Sequence, residues 1–278
     1  MGVERSPFLA GLYFSACLAA CVLQVTPIHA DDRFAEVEVT SEEIADGTLL
    51  IDNQFAPLAD KISATITSIG GNRPRFVLNS RYHGDHTGGN AEFGQSGVIL
   101  AHENVRARSI TQSNLPATAM PVVTYADRVT IHLNGDELSL VHLPDGHTDG
   151  DSLVRFKKAN VLHMGDQLFN GAFPYIDLGA AGTVDGYTEH LRRVIDEMPA
   201  DIKIIPGHGP MADIATVAES LAVIDQTHDI IVSGLNAGKS EAKIAQDLSP
   251  YAKSGQGFIS VDRWISIVKA DQAQRGSS

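Results

Sequence analysis

The stretch Asn79-Ser80-Arg81-Tyr82-His83-Gly84-Asp85-His86-Thr87-Gly88-Gly89-Asn90 directly follows the apolar run Phe76-Val77-Leu78, and its reading decides the fold. The run reads as the buried part of a strand over residues 75–79, which places the histidines and the aspartate in a strand-end loop, where functional side chains concentrate. His83, Asp85 and His86 supply borderline nitrogen and hard oxygen donors, a set that suits Zn²⁺ and accommodates Fe or Mn. The glycines let the backbone turn sharply, so neighbouring side chains can point in different directions.

Three further places repeat this pattern of one ligand type among glycines after an apolar run. They are His147 in Pro144-Asp145-Gly146-His147-Thr148, Asp166 in His163-Met164-Gly165-Asp166, and His208 in Pro206-Gly207-His208-Gly209-Pro210. A solitary histidine is usually a satisfied structural residue, but four such places in one chain, each expected at a strand end, are not easily dismissed.

Outward from the cluster, the chain alternates short apolar runs with amphipathic stretches. Strands are expected over 48–51, 75–79 and 98–101, with a helix over 58–69 closed by Gly70-Gly71 and another reaching Arg108. Asn134-Gly135 is the dipeptide a tight type I′ turn needs, so 129–133 and 137–143 read as a hairpin; 152–156 and 160–164 read as a second one around Lys157-Lys158. Helices over 183–198 and 212–235 flank a strand over 202–205. The elements fall into two sets, 37–143 and 144–278, each able to form one sheet with helices outside, so two sheets packed face to face with helices on both flanks are expected.

This series of residues resembles the metallo-β-lactamase superfamily, whose signature is His-x-His-x-Asp-His followed by a later His, an Asp or Cys, and a final His; the likeness covers nearly the whole chain after residue 30. The resemblance implies an α+β fold, a four-layer αββα sandwich with metals at one edge of the sheets. It implies that the first two motif histidines and His147 bind one metal, that Asp85, His86 and His208 bind another, and that Asp166 bridges both. Position 81, where the first motif histidine is expected, holds Arg81. A guanidinium stays protonated and has no lone pair to offer a metal. The first site then keeps only His83, His147 and a share of Asp166, while the second keeps Asp85, His86, Asp166 and His208.

One tightly bound Zn²⁺ and a second that is weak or absent are expected, with Fe or Mn as substitutes. Two readings of Arg81 stay open: it polarises a substrate carbonyl or clamps a carboxylate, or it points out of the cavity and damages the site. Catalysis is expected to use Asp85 to orient a water, with Arg81 and His147 as further catalytic residues and His83 or His147 as general base or acid near neutral pH. The expected activity is hydrolysis of an ester, lactone, amide or β-lactam in a small-molecule substrate. The alternative is a degenerate member that binds a ligand or metal without turnover; a redox di-iron member is a third reading that wants both sites intact.

Among the remaining polar residues, Asp52, Asp149 and Asp151 are expected to hydrogen-bond the metal loops. His102 reads as structural, His132 and His142 as solvent-facing, and His163, His190 and His228 as non-ligands. The segment 169–175, Phe169-Asn170-Gly171-Ala172-Phe173-Pro174-Tyr175, is a candidate substrate-facing wall.

With 278 residues, 43% of them apolar, the chain is long enough for one sizeable core. Its 21 Lys and Arg stand against 34 Asp and Glu, a net charge of −13 that argues against nucleic acid as a partner. Arg5 precedes an apolar run from Phe8 to Val25, and Ile28-His29-Ala30 leads into Asp31-Asp32, the layout of a signal peptide over residues 1–30 before a hydrolase domain over 31–278. A periplasmic or secreted protein is expected, with no membrane contact unless Cys21 is lipidated, since Leu18-Ala19-Ala20-Cys21 resembles a bacterial lipobox. Both cysteines, Cys17 and Cys21, precede Ala30, so cleavage there leaves neither a disulfide nor a thiolate ligand.

Overall fold

The computed structural model describes residues 47–112 and 114–276, all within one compact unit, Ser41–Ser278. The expected signal peptide and lipobox lie outside the described residues.

The first sheet contains β1 (Leu49–Ile51), β2 (Phe76–Asn79), β3 (Val98–His102) and β4 (Val123–Tyr125), parallel and in that order. Between its strands run α1 (Ala59–Ser68), two single turns α2 (Gly84–Thr87) and α3 (Asn90–Phe93), and α4 (Glu103–Thr111). Buried on both faces, this sheet reads as continuous apolar runs rather than alternation, as parallel strands require; Val77 and Leu78 are both fully buried.

The second sheet runs β5 (Arg128–Leu133), β6 (Asp136–Leu143), β7 (Asp151–Phe156), β8 (Val161–Phe169) and β9 (Lys203–His208), antiparallel until the parallel β8–β9 pair. The β5–β6 hairpin turns at Asn134 (φ 61°) and Gly135 (φ 74°), the left-handed pair that a type I′ turn demands. The helices of this half are α5 (Val184–Glu197), α6 (Ile214–Asn236), α7 (Glu241–Asp247) and α8 (Val261–Arg275).

Leu78, Leu100 and Tyr125 of the first sheet share one apolar cluster with Leu133, Leu138, Leu140 and Val154 of the second, so the sheets pack face to face. The second sheet's Leu162 and Ile204 pack with Leu191 of α5, Ile224 of α6 and Trp264 of α8. Trp264 donates its indole N–H to Thr227 Oγ1 at 3.0 Å, satisfying the one polar atom this ring buries. The result is the expected αββα sandwich.

Two expectations need correction. The sheets divide between Tyr125 and Arg128, not at residue 143, because β6 pairs along its length with β7, from Leu138 opposite Phe156 to Leu143 opposite Asp151. Asp166 lies inside β8 rather than at a strand end; the β8–β9 register is irregular there, with shifts between His163, Gly165 and Phe169.

Candidate metal centre

The metal loop is fixed from below by buried amides. Asn79 donates to the His86 carbonyl (3.1 Å) and to Asn90 Oδ1 (3.1 Å), Asn90 donates to Asn79 Oδ1 (2.9 Å), and the Gly89 N–H donates to Asn53 Oδ1 (2.8 Å). His83 precedes α2, and its carbonyl accepts from the His86 and Thr87 N–H groups at 3.0 and 3.1 Å, which turns Asp85 and His86 toward the sheet edge.

There Asp85, His86, Asp166 and His208 converge, with one donor atom from each inside a 4.8 Å span. His86 Nε2 lies 3.3 Å from Asp85 Oδ2 and 3.2 Å from Asp166 Oδ1, and His208 Nε2 lies 3.4 Å from Asp85 Oδ2 and 3.2 Å from Asp166 Oδ2. Tetrahedral zinc with bonds of about 2.1 Å places its donors about 3.4 Å apart, so these four residues fit such an ion. Asp166 Oδ1 is buried without a well-aligned hydrogen bond among the described residues, as an oxygen reserved for a cation would be. Gly207 makes room, since a Cβ there would collide with that same oxygen.

The electrostatics of the cluster follow the same logic. Burial resists charge on His86, but the carboxylates of Asp52 and Asp166 outweigh both it and the repulsion of Arg81, raising the ring's pKa well above the ordinary histidine value. His208 is pushed up to about 9, because its hydrogen bonds to Asp166 and Asp85 overcome desolvation. Burial alone would raise Asp166, yet Arg81 and His86 hold it well below the usual carboxylate range. Behind the cluster, His86 Nδ1 donates to Asp52 Oδ2 at 2.7 Å, and Asp52 accepts from the Ser80 N–H (2.7 Å) and hydroxyl (2.6 Å). This is the expected support of the loop, and it directs Nε2 of His86 to the centre.

Arg81 is 3% exposed and turned inward, contrary to the reading that points it out of the cavity. Its Nη1 donates to His147 Nε2 at 2.8 Å and to His83 Nδ1. Its Nη2 donates to Asp85 Oδ2 at 2.8 Å and pairs with Asp166 Oδ2 at 2.6 Å. All four terminal N–H groups are therefore engaged. The Nε–H is buried without a hydrogen-bond partner among the described residues, while both terminal nitrogens are turned onto the protein's own side chains, so here Arg81 positions these groups.

His83 and His147 gather around this guanidinium, and His147 Nε2 also lies 3.7 Å from Asp166 Oδ2. His147 is fully buried, donates from Nδ1 to the Tyr175 carbonyl at 2.5 Å, and has its pKa pushed down to about 3 by burial and by Arg81. Held neutral in this way, its ring serves as the acceptor for Arg81. His83 donates from Nε2 to Asp177 Oδ2 at 2.8 Å, beside Tyr82, whose hydroxyl donates to the same oxygen at 2.6 Å. Asp177 and Tyr82 escape sequence reasoning: Asp177 follows the aromatic segment in a loop without a motif, and Tyr82 occupies a variable place inside one. The residues present thus do not fit a metal at the first position.

Other expected residues settle as follows. Asp151 anchors the His147 loop through the Thr148 N–H (2.7 Å) and hydroxyl (2.5 Å) and Gln167 Nε2 (2.6 Å). Asp149 receives both ends of Arg108 at 2.7 Å. His102 is structural: its ring accepts from the Asn104 N–H and donates to the Ala126 carbonyl. His142 is half-buried rather than solvent-facing, stacked on His102 at 3.6 Å because its Nε2 reaches the Asp149 carbonyl at 2.9 Å. In the expected wall, Phe173 is core and stacks on Trp264, Phe169 stacks on His208 at 4.7 Å, and Tyr175 faces His83 and His147 at 5.9 and 5.7 Å.

A sandwich of two sheets with histidines and aspartates from separate loops converging at one edge defines a class of metal-centred hydrolase folds. The chain belongs to the metallo-beta-lactamase superfamily, whose sequence profile matches residues 44–208. It is 22% identical over 202 residues to a metallo-beta-lactamase type 2 of Bacteroides fragilis, covering 69% of this chain and 80% of that one. It is 29% identical over 136 residues to a hydroxyacylglutathione hydrolase of Shewanella baltica, covering 48% of this chain and 46% of the relative. Among solved structures it resembles a metallo-beta-lactamase from Pontibacter korlensis, with a TM-score of 0.57, 19% identity, and coverage of 66% of this chain and 84% of that one. These relatives are hydrolases, and at the family level so is this chain.

Proposed function

We propose that this protein is an exported, zinc-dependent hydrolase of small acyl substrates: an ester, thioester, lactone, amide or β-lactam. The observation that carries this reading is the convergence of Asp85, His86, Asp166 and His208 on one point at the sheet edge. A divalent cation bound there supplies Lewis acidity, lowering the pKa of a water toward about 7 and drawing charge from an acyl oxygen.

The chain's own residues do the rest. Asp166 and His86 form the dry floor, with side chains 1% and 5% exposed, while Asp85 and His208, at 19% and 46%, form the open side where water and substrate enter. Asp85 stays ionised, because its bonds to His208 and His86 and the Arg81 charge override desolvation, so it can accept from and orient the attacking water. Tyr175 walls the approach, and Phe169 backs His208 from beneath. Export rests on the apolar run from Phe8 to Val25 and the small residue Ala30.

The test pairs metal analysis with a panel of a chromogenic cephalosporin, an aryl ester, an acyl-CoA thioester and a lactone. Turnover of at least one is expected, falling at least about a hundredfold in His208→Ala together with metal content. Metal-loaded wild type that turns over none of them would favour the second reading, a ligand- or metal-binding member, for which the inward Arg81 is the supporting observation. Fractionation with N-terminal sequencing of the mature chain checks export.

A further inference from the structure

We propose that Arg81 is the resident cation of the first metal position: its guanidinium replaces one ion permanently, so the protein takes a single divalent metal however much is supplied. This rests on reading Asp85, His86, Asp166 and His208 as the metal centre.

The lone pairs that define the first position are already committed. His147 gives its Nδ1 proton to the Tyr175 carbonyl, which leaves Nε2 bare, and His83 gives its Nε2 proton to Asp177, which leaves Nδ1 bare. These two bare nitrogens lie 3.1 Å apart. Two acceptors at that distance repel unless a donor or a cation lies between them, and Nη1 of Arg81 supplies both bonds. On the other side, Nη2 meets Asp85 Oδ2 and Asp166 Oδ2, the two carboxylates of the four-residue centre. One planar group therefore satisfies two imidazoles and two carboxylates together.

The replacement is also hard to undo. A guanidinium does not deprotonate in a protein, so the position cannot be cleared by raising the pH. Nor does Arg81 have slack to swing aside. Its side chain is buried, and the preceding residue is pinned to Asp52 through both its N–H and its hydroxyl. An incoming second ion would have to strip the guanidinium from two carboxylates or share the pocket with a fixed positive charge. A chelator that removes the metal leaves Arg81 in place, neutralising part of the Asp85 and Asp166 charge.

The test is metal stoichiometry on the full chain, stripped with EDTA and titrated with zinc by mass spectrometry under native conditions and with cobalt(II) by absorption. Wild type is expected to saturate at one equivalent even at hundredfold excess, and Arg81→His to take two, because His83 and His147 already converge beside position 81. His83→Ala in the otherwise wild-type chain is expected to keep its one equivalent with affinity unchanged within about threefold. Two equivalents in wild type would overturn the proposal whether or not Arg81→His folds, as would a single equivalent in a folded Arg81→His or loss of the metal in His83→Ala. Zero equivalents in wild type would instead overturn the four-residue centre on which the proposal rests.

Discussion

Arg81 Nη2 and Asp166 Oδ2 lie 2.6 Å apart with both side chains buried, so the carboxylate that faces His86 and His208 is also clamped by a fixed positive charge. The pair joins the two halves of the molecule, since Arg81 follows β2 of the first sheet and Asp166 lies in β8 of the second. Removing the carboxylate leaves the buried guanidinium with Asp85 as its one remaining carboxylate partner here, which destabilises by less than the roughly 3–5 kcal/mol of a wholly unpaired buried charge. Asp166→Asn is therefore expected to lose its metal and, unlike a surface ligand variant, to unfold at markedly lower denaturant even in the metal-free state. Chemical denaturation of EDTA-treated protein checks this; a midpoint equal to wild type contradicts it.

Asp52 touches no metal ligand oxygen, yet it holds Nδ1 of His86 and two groups of Ser80. Supports of this kind typically change metal affinity by about 10–100-fold when altered. Asp52→Asn is expected to weaken zinc binding within that range while leaving the stoichiometry at its wild-type value. Competition with a chromogenic chelator measures it, and an unchanged affinity would show that His86 orients itself.

How far the sequence carries this picture depends on whether the cause is local. Asn134-Gly135 announces its turn because only left-handed backbone fits there, and the turn is found. Which sheet receives that hairpin is decided by pairing with residues 151–156, far along the chain, and alternation along β5 and β6 is silent on it. The three-residue edge strand β4 and the helices α7 and α8 lie outside the sequence reading: β4 is too short for a period, and α8 packs through Trp264, Ile265 and Val268 against elements fixed only by the tertiary fold. The four converging residues were legible from their chemistry and glycine context. The direction of Arg81 was not, because an inward and an outward guanidinium leave the same sequence pattern, and only the carboxylates across the site choose between them.

His190 on α5 is buried, with Nδ1 against Gln167 Oε1 at 3.2 Å. Burial, and then repulsion from Arg193, push its pKa down to about 4. Unfolded, the ring titrates near 6.5. Between those values the unfolded chain binds the extra proton, so His190's contribution is complete above pH 6.5 and is lost as the pH falls toward 4, about 3 kcal/mol in all. His190→Gln is expected to flatten the stability curve across this window. Denaturation midpoints at pH 4.5, 5.5 and 6.5 check it, and parallel curves for the two proteins would rule the contribution out.

Phe258 is 82% exposed in the segment leading into α8, beyond the residues matched by the family profile. It is not idle surface: its ring stands edge-on to Tyr175 at 6.2 Å, and Tyr175 lies against His83 and His147 beside the metal centre. The Phe173 N–H donates to the Ser254 carbonyl at 2.9 Å, which anchors the start of this segment, and the aromatic pair forms an apolar ledge. A substrate with a large apolar acyl group gains about 1.5 kcal/mol by covering such a ring, close to tenfold in binding. That gain applies equally to ground and transition states, so it belongs in KM. Phe258→Ala is accordingly expected to raise KM about tenfold for a long-chain or aromatic acyl ester, to leave kcat within about twofold, and to leave both constants unchanged for an acetyl ester. Since the ring is exposed, thermal stability is expected to stay the same. Equal effects on both esters, or a loss confined to kcat, would show that Phe258 acts on the fold of the centre rather than on the substrate.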